Sequence, residues 1–203
     1  MNNIVRKRNP GEPVTIPNGL PKIIYRGKLG AIVQFPVLQD LGFGYQEKTF
    51  EKFSRPPGTR LIIVKDEKIL LNKEHRLESE GYDWRLPGGK VFDLFEEYEG
   101  YIGSEVPKDL ILNGARKELR EETGLDSEVL NIFDRQICGA SVEWDLYYVV
   151  AKDVKDFVLE GHNEGEDIDD SRWFSFSEVR EMCQSGVIQE GRSVAVLIKF
   201  IKD

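Results

Sequence analysis

Glu118, Glu121 and Glu122 stand at positions i, i+3 and i+4. On a helix that spacing brings three carboxylates to one face. Like charges so close repel unless something compensates them, and a hard divalent cation with oxygen ligands is the natural compensator. Thr123-Gly124 follows directly. Gly124 is suited to the left-handed cap that ends a helix. The competing reading is a solvated acidic face partnered by Arg116, Lys117 and Arg120, which is what most charge runs are.

The segment Lys117–Leu125 resembles the Nudix box, a pattern of Gly, five residues, Glu, seven residues, Arg-Glu, apolar, any, Glu-Glu, any, Gly, apolar. Glu118, Leu119, Glu121, Glu122, Gly124 and Leu125 match position by position, and Leu86–Val91 is similar to the family's strand-to-loop lead-in. Lys117 stands where the family has Arg, and Asp109 where it has the first Glu. The stretch from Gly89 to Lys117 is twice as long as in the family pattern, so an insertion sits between Gly89 and Asp109, mostly at 93–107. The Gly-Gly turn upstream and the Gly stop downstream fit the box, and favour the metal reading of the glutamates.

The resemblance implies hydrolysis of a nucleoside diphosphate linked to another group X, with Mg²⁺ or Mn²⁺. It implies Glu118 and Glu122 as main metal ligands, Glu121 as ligand or base, the carbonyl of Gly88 as a further ligand, and Gly88-Gly89 as the loop that meets substrate. Lys117 offers a point charge and cannot reproduce the bidentate fork of the family Arg. Arg116 or Arg120 could substitute only by facing the same way.

Glu160–Ile168 is an acidic loop that resembles the catalytic loop of ADP-ribose pyrophosphatases. That resemblance makes Glu164, then Glu166, candidates for a catalytic base or a further ligand, against a plain solvated loop. Arg55 and Arg76 stand where such enzymes place cations near the terminal ribose and phosphates. Arg76 could equally pair with Glu74 or Glu78. Tyr82, Trp84, Phe43 and Tyr45 could stack on a base or belong to core or interface. The insertion aromatics Phe92, Phe95, Tyr98 and Tyr101 could form a lid or meet a partner subunit.

The chain has 203 residues, 40% of them hydrophobic. That is enough for one sizeable domain with an added element. A net charge of −8 argues against bulk attraction to nucleic acid or an anionic membrane. No run approaches a membrane span and no apolar segment follows the basic N-terminus, so a cytoplasmic protein is expected. Cys138 and Cys183 lack metal spacing, and each is expected as a free thiol in apolar surroundings.

Four prolines in residues 1–21 suggest an extended arm rather than packed structure. Strands are expected at 23–26, 31–38 and 49–55, and a hairpin at 60–65 and 68–72 around Asp66-Glu67. A short strand at 84–86, a helix at 110–122 and strands at 127–133 and 144–151 follow. Gly114 inside that helix suggests close packing against the sheet. Ser175 and Glu178 form a capping-box pattern before a helix to about 185, and a last helix runs from about 189 to 201. This order gives a mixed α/β class. The resemblance adds the Nudix fold, a mixed β-sheet sandwiched between helices, with an N-terminal β extension. Residues 1–57 would be that extension, a unit through which such pyrophosphatases homodimerise, and 58–203 the Nudix domain. ADP-ribose or a similar nucleotide sugar is the expected substrate. Nucleoside triphosphates, coenzyme A-type diphosphates and a nucleotide-sensing module without turnover are the alternatives.

Overall fold

Two apolar strands that alternate onto opposite faces organise the molecule. The structure is a computed structural model describing residues 12–77, 80–157 and 168–202. Its strands are β1 (Val14–Pro17), β2 (Lys22–Arg26), β3 (Ala31–Asp40), β4 (Tyr45–Ser54), β5 (Gly58–Lys65), β6 (Lys68–Arg76), β7 (Gly81–Arg85), β8 (Leu125–Asp126), β9 (Val129–Gln136), β10 (Val142–Glu143), β11 (Leu146–Lys152), β12 (Lys155–Asp156) and β13 (Ile168–Ser175). The helices are α1 (Phe95–Tyr98), α2 (Lys108–Thr123), α3 (Phe176–Ser185) and α4 (Gly191–Phe200).

β5 and β11 pair in parallel at the centre of a mixed six-stranded sheet of order β13-β6-β5-β11-β9, with β7 also on β6. Ile62, Leu146, Tyr148 and Val150 face α3 and α4, where they pack with Val179, Val196 and Leu197. Leu61, Ile63, Val149 and Ala151 face α2, against Ala115 and Leu119. Both strands are buried on both sides, which is why they read as continuous apolar runs. The result is the expected mixed α/β fold, a sheet between helices.

Local chemistry explains the element ends. Asp66 and Glu67 both take positive φ, 50° and 57°. A tight two-residue hairpin turn requires this of both central residues. The Ser175 Oγ accepts from the Glu178 amide. In return the Glu178 carboxylate accepts from the Ser175 amide at 2.7 Å, completing the capping box. Gly124 closes α2 at φ 63°, its N–H donating to the Arg120 carbonyl at 3.1 Å. This is the left-handed cap expected of a glycine there.

The N-terminal region departs from expectation. Val14–Pro17 is not a loose arm but a strand, β1, on the edge of a second sheet. The proline at its end needs no ladder partner there. β1 and β2 pair with one edge of β3, and β4 pairs with the other along its full length. β4 runs from Tyr45, well before the expected Thr49. Its first seven residues are exposed, so no alternation of apolar side chains marks it. β10 then joins β4 in parallel, at Val142 opposite Phe53.

The insertion is neither lid nor free surface. It folds into α1 and a following turn, and places Phe92, Phe95 and Tyr98 in a core with Ala31 and Val33 of β3. Phe92 stacks on Tyr101 with centroids 5.5 Å apart. Arg26 of β2 pairs with Glu99. The insertion and β10 together join the N-terminal sheet to the body of the protein. Gly114 serves this junction too. A Cβ there would come within 2.9 Å of the Val91 Cα, so at this point α2 packs on the segment entering the insertion rather than on the sheet. Cys183 is buried, with burial raising its thiol pKa to about 11, whereas Cys138 is exposed, contrary to the apolar setting expected of both.

Phe95→Ala removes an aromatic side chain 5% exposed from the cluster that joins the two sheets. A loss of about 3–5 kcal/mol is expected, read as a lowered midpoint in thermal or urea unfolding. An unchanged midpoint would show that the insertion does not anchor the sheet.

Candidate active site at the Gly88-Gly89 loop

The loop after β7 lies across the start of β5 and against the last two turns of α2. Backbone bonds lace it to β5: Thr59 N–H donates to the Gly89 carbonyl at 2.9 Å and Leu61 N–H to the Pro87 carbonyl at 2.8 Å. The Gly88 N–H donates to Glu122 Oε2 at 2.6 Å, and the Lys90 N–H to Glu118 Oε1 at 2.9 Å. Both glycines are required by this approach. Gly88 has φ 145°, and a Cβ on it would lie 2.3 Å from the Thr59 carbonyl oxygen. A Cβ on Gly89 would lie 2.5 Å from the Glu118 carboxylate.

Of the three glutamates, Glu118 and Glu122 therefore turn to the loop, and Glu121 is exposed. Successive helix residues are about 100° apart, so Glu121 cannot follow Glu122 onto the loop side. Among the described residues, no group of three or more His, Cys, Asp or Glu side chains is arranged to hold a metal ion. Glu118 and Glu122 offer an all-oxygen donor set beside the loop, which suits a hard cation such as Mg²⁺, held by few carboxylates and several waters.

The Gly88 carbonyl, expected as a further metal ligand, is engaged from β5. It accepts from Arg60 Nη1 at 2.7 Å, because β5 brings this guanidinium under the loop. Arg76 is paired with Glu74 on its own strand, so the ion-pair alternative describes its contact. Glu164 and Glu166 lie outside the described residues. Trp84 packs edge-on to Phe174 at 4.9 Å. Tyr82 is about half exposed beside His75 and under Lys73, and Phe43 is 90% exposed at the β3–β4 turn.

Lys117 in the place of the family Arg is accommodated by the insertion. Its Nζ lies 2.5 Å from Asp93 Oδ1, the first residue of the inserted segment. Partial burial lowers the Lys117 pKa, but Asp93, Glu121 and Glu118 outweigh it and raise the value overall. Arg116 and Arg120 do not substitute. They point to the β8–β9 turn, where Arg116 donates to the Ser127 carbonyl and Arg120 pairs with Asp126 at 2.7 Å. Asp109 is exposed in the first turn of α2. Its charge suits the helix N-terminus.

Arg55, placed by the end of β4, is one of several cations on the α4 side. Its guanidinium carbon lies 4.3 Å from the Trp144 ring centroid, and that of Arg192 lies 4.4 Å from the same ring. Burial and the neighbouring Arg192 charge lower the Arg55 pKa. Glu190 caps α4 through the Ser193 amide at 2.9 Å and holds Arg192 Nε at 3.1 Å. The Tyr148 hydroxyl meets Ser193 Oγ at 3.2 Å. Burial alone would raise the Glu190 pKa, but Ser193, Arg192 and Arg60 bring it below its usual value. Sequence reading missed Arg60, Trp144, Glu190 and Arg192. Only the Glu190-x-x-Ser193 spacing at a helix start hinted at one of them.

Residues 55–195 match the model of the NUDIX domain, so the chain belongs to the Nudix hydrolase family. It is 30% identical over 149 residues to the CMP-5′-(N-acetyl-N-hydroxy-3-aminopropyl)phosphonate hydrolase of Streptomyces rubellomurinus, a match covering 71% of this chain and 65% of that protein, just under two thirds of its length. It is 28% identical over 152 residues to the GDP-mannose pyrophosphatase of Salmonella arizonae, covering 72% of this chain and 74% of the relative. A crystal structure of an ADP compounds hydrolase shares the fold, with a TM-score of 0.62 at 18% identity over 94% of this chain and 91% of that one. Among the described residues no helix is long and apolar enough to cross a membrane.

Two outcomes test this geometry. Gly89→Ala should stay folded yet displace Glu118 from the loop, and activity should fall while the unfolding midpoint changes little. Gly88→Ala meets backbone instead and should lower the midpoint itself. Equal effects of the two on stability would contradict these contacts. The folded-state pKa of Glu190 is lowered from 4.5. Its contribution to stability is therefore present above that unfolded value and is lost as pH falls through the folded one. Melting profiles from neutral to acid pH should fall more steeply for the natural protein than for Glu190→Gln. Parallel profiles would remove Glu190 from the account.

Proposed function

We propose that this protein is a metal-dependent hydrolase that cleaves the pyrophosphate of a nucleoside diphosphate joined to another group. Its substrate is ADP-ribose or a similar nucleotide sugar, and its products are AMP and a sugar phosphate. The observation that carries this reading is the clamp of Glu118 and Glu122 on the Gly88-Gly89 loop. It leaves two acceptor-only carboxylates side by side where a diphosphate can meet a cation. The names of the relatives, a GDP-mannose pyrophosphatase and a hydrolase of a CMP-linked phosphonate, support a substrate of this class.

In this reading Glu118 and Glu122 hold Mg²⁺ (or Mn²⁺). The bound ion would neutralise charge on the bridging oxygens and orient a water. Glu121 stands exposed beside them, open to a second ligand role or to proton acceptance, and Glu164 or Glu166 takes the proton of the attacking water. The Gly88 and Lys90 amides position the carboxylates. Lys117, held by Asp93, keeps a positive charge next to Glu118 and Glu121 and limits their repulsion. The exposed apolar side chains of the N-terminal sheet, such as Ile24, Tyr25 and Tyr45, support a homodimer formed through that sheet.

Chromatography of products after incubation with Mg²⁺ tests the reading, using ADP-ribose, GDP-mannose, a nucleoside triphosphate and a coenzyme A-type diphosphate. AMP and ribose 5-phosphate from ADP-ribose are expected. Glu122→Gln should remain folded and lose about 100-fold or more in rate, the scale of removing one group that stabilises transition-state charge. Binding of nucleotide without turnover of any member would overturn the hydrolase reading.

A further inference from the structure

Three guanidinium groups lie on the α4 side of the sheet: those of Arg55 and Arg192 stack on Trp144, and that of Arg60 acts on Glu190, the partner of Arg192. They come from the end of β4, from α4 and from β5. Among the described residues, the carboxylate turned to them is Glu190, at Arg192. The neighbouring acids are engaged elsewhere: Glu143 accepts from Ser54 Oγ at 2.9 Å, and Asp145 pairs with Arg135 at 2.5 Å. These guanidinium groups thus outnumber the carboxylate paired with them, within a protein whose net charge is −8. Arg55 Nε, Arg60 Nε and Arg192 Nη1 are buried and have no hydrogen-bond partner among the described residues. Arg60 is only 9% exposed. Buried N–H groups of this kind are costly unless a ligand completes them.

We propose that Arg55, Arg192 and Trp144 form an oxyanion subsite, separate from the Glu118–Glu122 face, that receives a phosphate- or phosphonate-class group of the substrate. The indole holds both guanidinium groups by cation–π contact. Glu190 accepts from Arg192 Nε and so fixes the guanidinium, whose Nη1 has no partner among the described residues. A planar fork held in place in this way matches phosphate geometry. Arg55 also lines a neighbouring recess with Lys28, Lys90 and Asp93, the last of these paired with Lys117. The subsite also adjoins the chemistry. The Trp144 Nε1 lies 3.6 Å from where a Cβ of Gly58 would stand, and the Gly89 carbonyl oxygen lies 3.0 Å from that same point. Arg60 reaches the loop from beneath, at the Gly88 carbonyl. A substrate lying across Gly88-Gly89 can therefore meet the carboxylate face on one side and these guanidinium groups on the other.

The oxyanion has two candidate sources, the scissile diphosphate itself or a further phosphoryl group on X. This choice rests on the proposed hydrolase reading, whereas binding of the oxyanion does not. Binding is measured first, without metal, by titrating inorganic phosphate and methylphosphonate in EDTA and following tryptophan fluorescence. A saturable change is expected that Trp144→Phe removes. Arg192→Gln should weaken it at least about tenfold, the scale of a charge-assisted hydrogen-bonded pair, and Arg192→Lys should recover part of the loss. No saturable change, or equal affinity in Arg192→Gln, would overturn the subsite. The second measurement compares kcat/KM of Arg192→Gln on ADP-ribose and on ADP-ribose bearing a phosphate on its terminal ribose. Equal losses on both assign the subsite to the scissile diphosphate, and a loss confined to the phosphorylated substrate assigns it to X. Undiminished kcat/KM on both would overturn it. Oxyanion binding with no hydrolysis of any substrate would refute the hydrolase reading and leave the subsite standing.

Discussion

One residue, Gly88, ties the two sides of this protein together. Its N–H is held by Glu122 of α2 and its carbonyl by Arg60 of β5, at 2.6 and 2.7 Å. Only a residue without a side chain tolerates this position, because a Cβ would run into the backbone of Thr59. The orientation of the helix that carries the glutamates, the position of the loop and the placement of the cations beneath it all follow from this contact.

The departures from the family pattern fall into place around that loop. The Lys117 ammonium cannot span two oxygens as a guanidinium does, and the inserted segment supplies Asp93 to hold it. The same insertion then runs on into α1, whose aromatic side chains complete the core beneath β3. A substitution within the box and a length change outside it are thus parts of one local solution. The N-terminal sheet is fastened to the body by residues that interrupt the box.

The cationic side of the site has a different origin. β11 and β5 are parallel neighbours, so Trp144, just ahead of β11, stands beside Gly58 at the start of β5. α4 begins over the same sheet end, capped by Glu190, and its first turn delivers Arg192 to the indole. Helix capping and ligand-facing charge share one carboxylate there. Burial of these arginines is tolerable because the aromatic face and Glu190 compensate part of the desolvation.

Local patterns in the sequence were sufficient for much of this. The helix that carries the three glutamates, the Gly124 stop, the Asp66-Glu67 turn and the Ser175–Glu178 box are signals between residues at most a few positions apart, and each appears in the fold as read. Apolar runs at β5 and β11 marked the central strands for the same reason. The Gly-Gly turn and the box glutamates made the family legible. What the chain alone did not reveal are contacts between distant segments: β1 on β3, the exposed length of β4, the packing role of the insertion, Asp93 with Lys117, and Arg55 with Trp144 and Arg192. None carries a period or a short spacing, because each is set by which strand lies beside which and where a helix begins above it. Periodicity determines which face of an element is apolar. Only the assembled sheets determine which charged side chains meet at their ends.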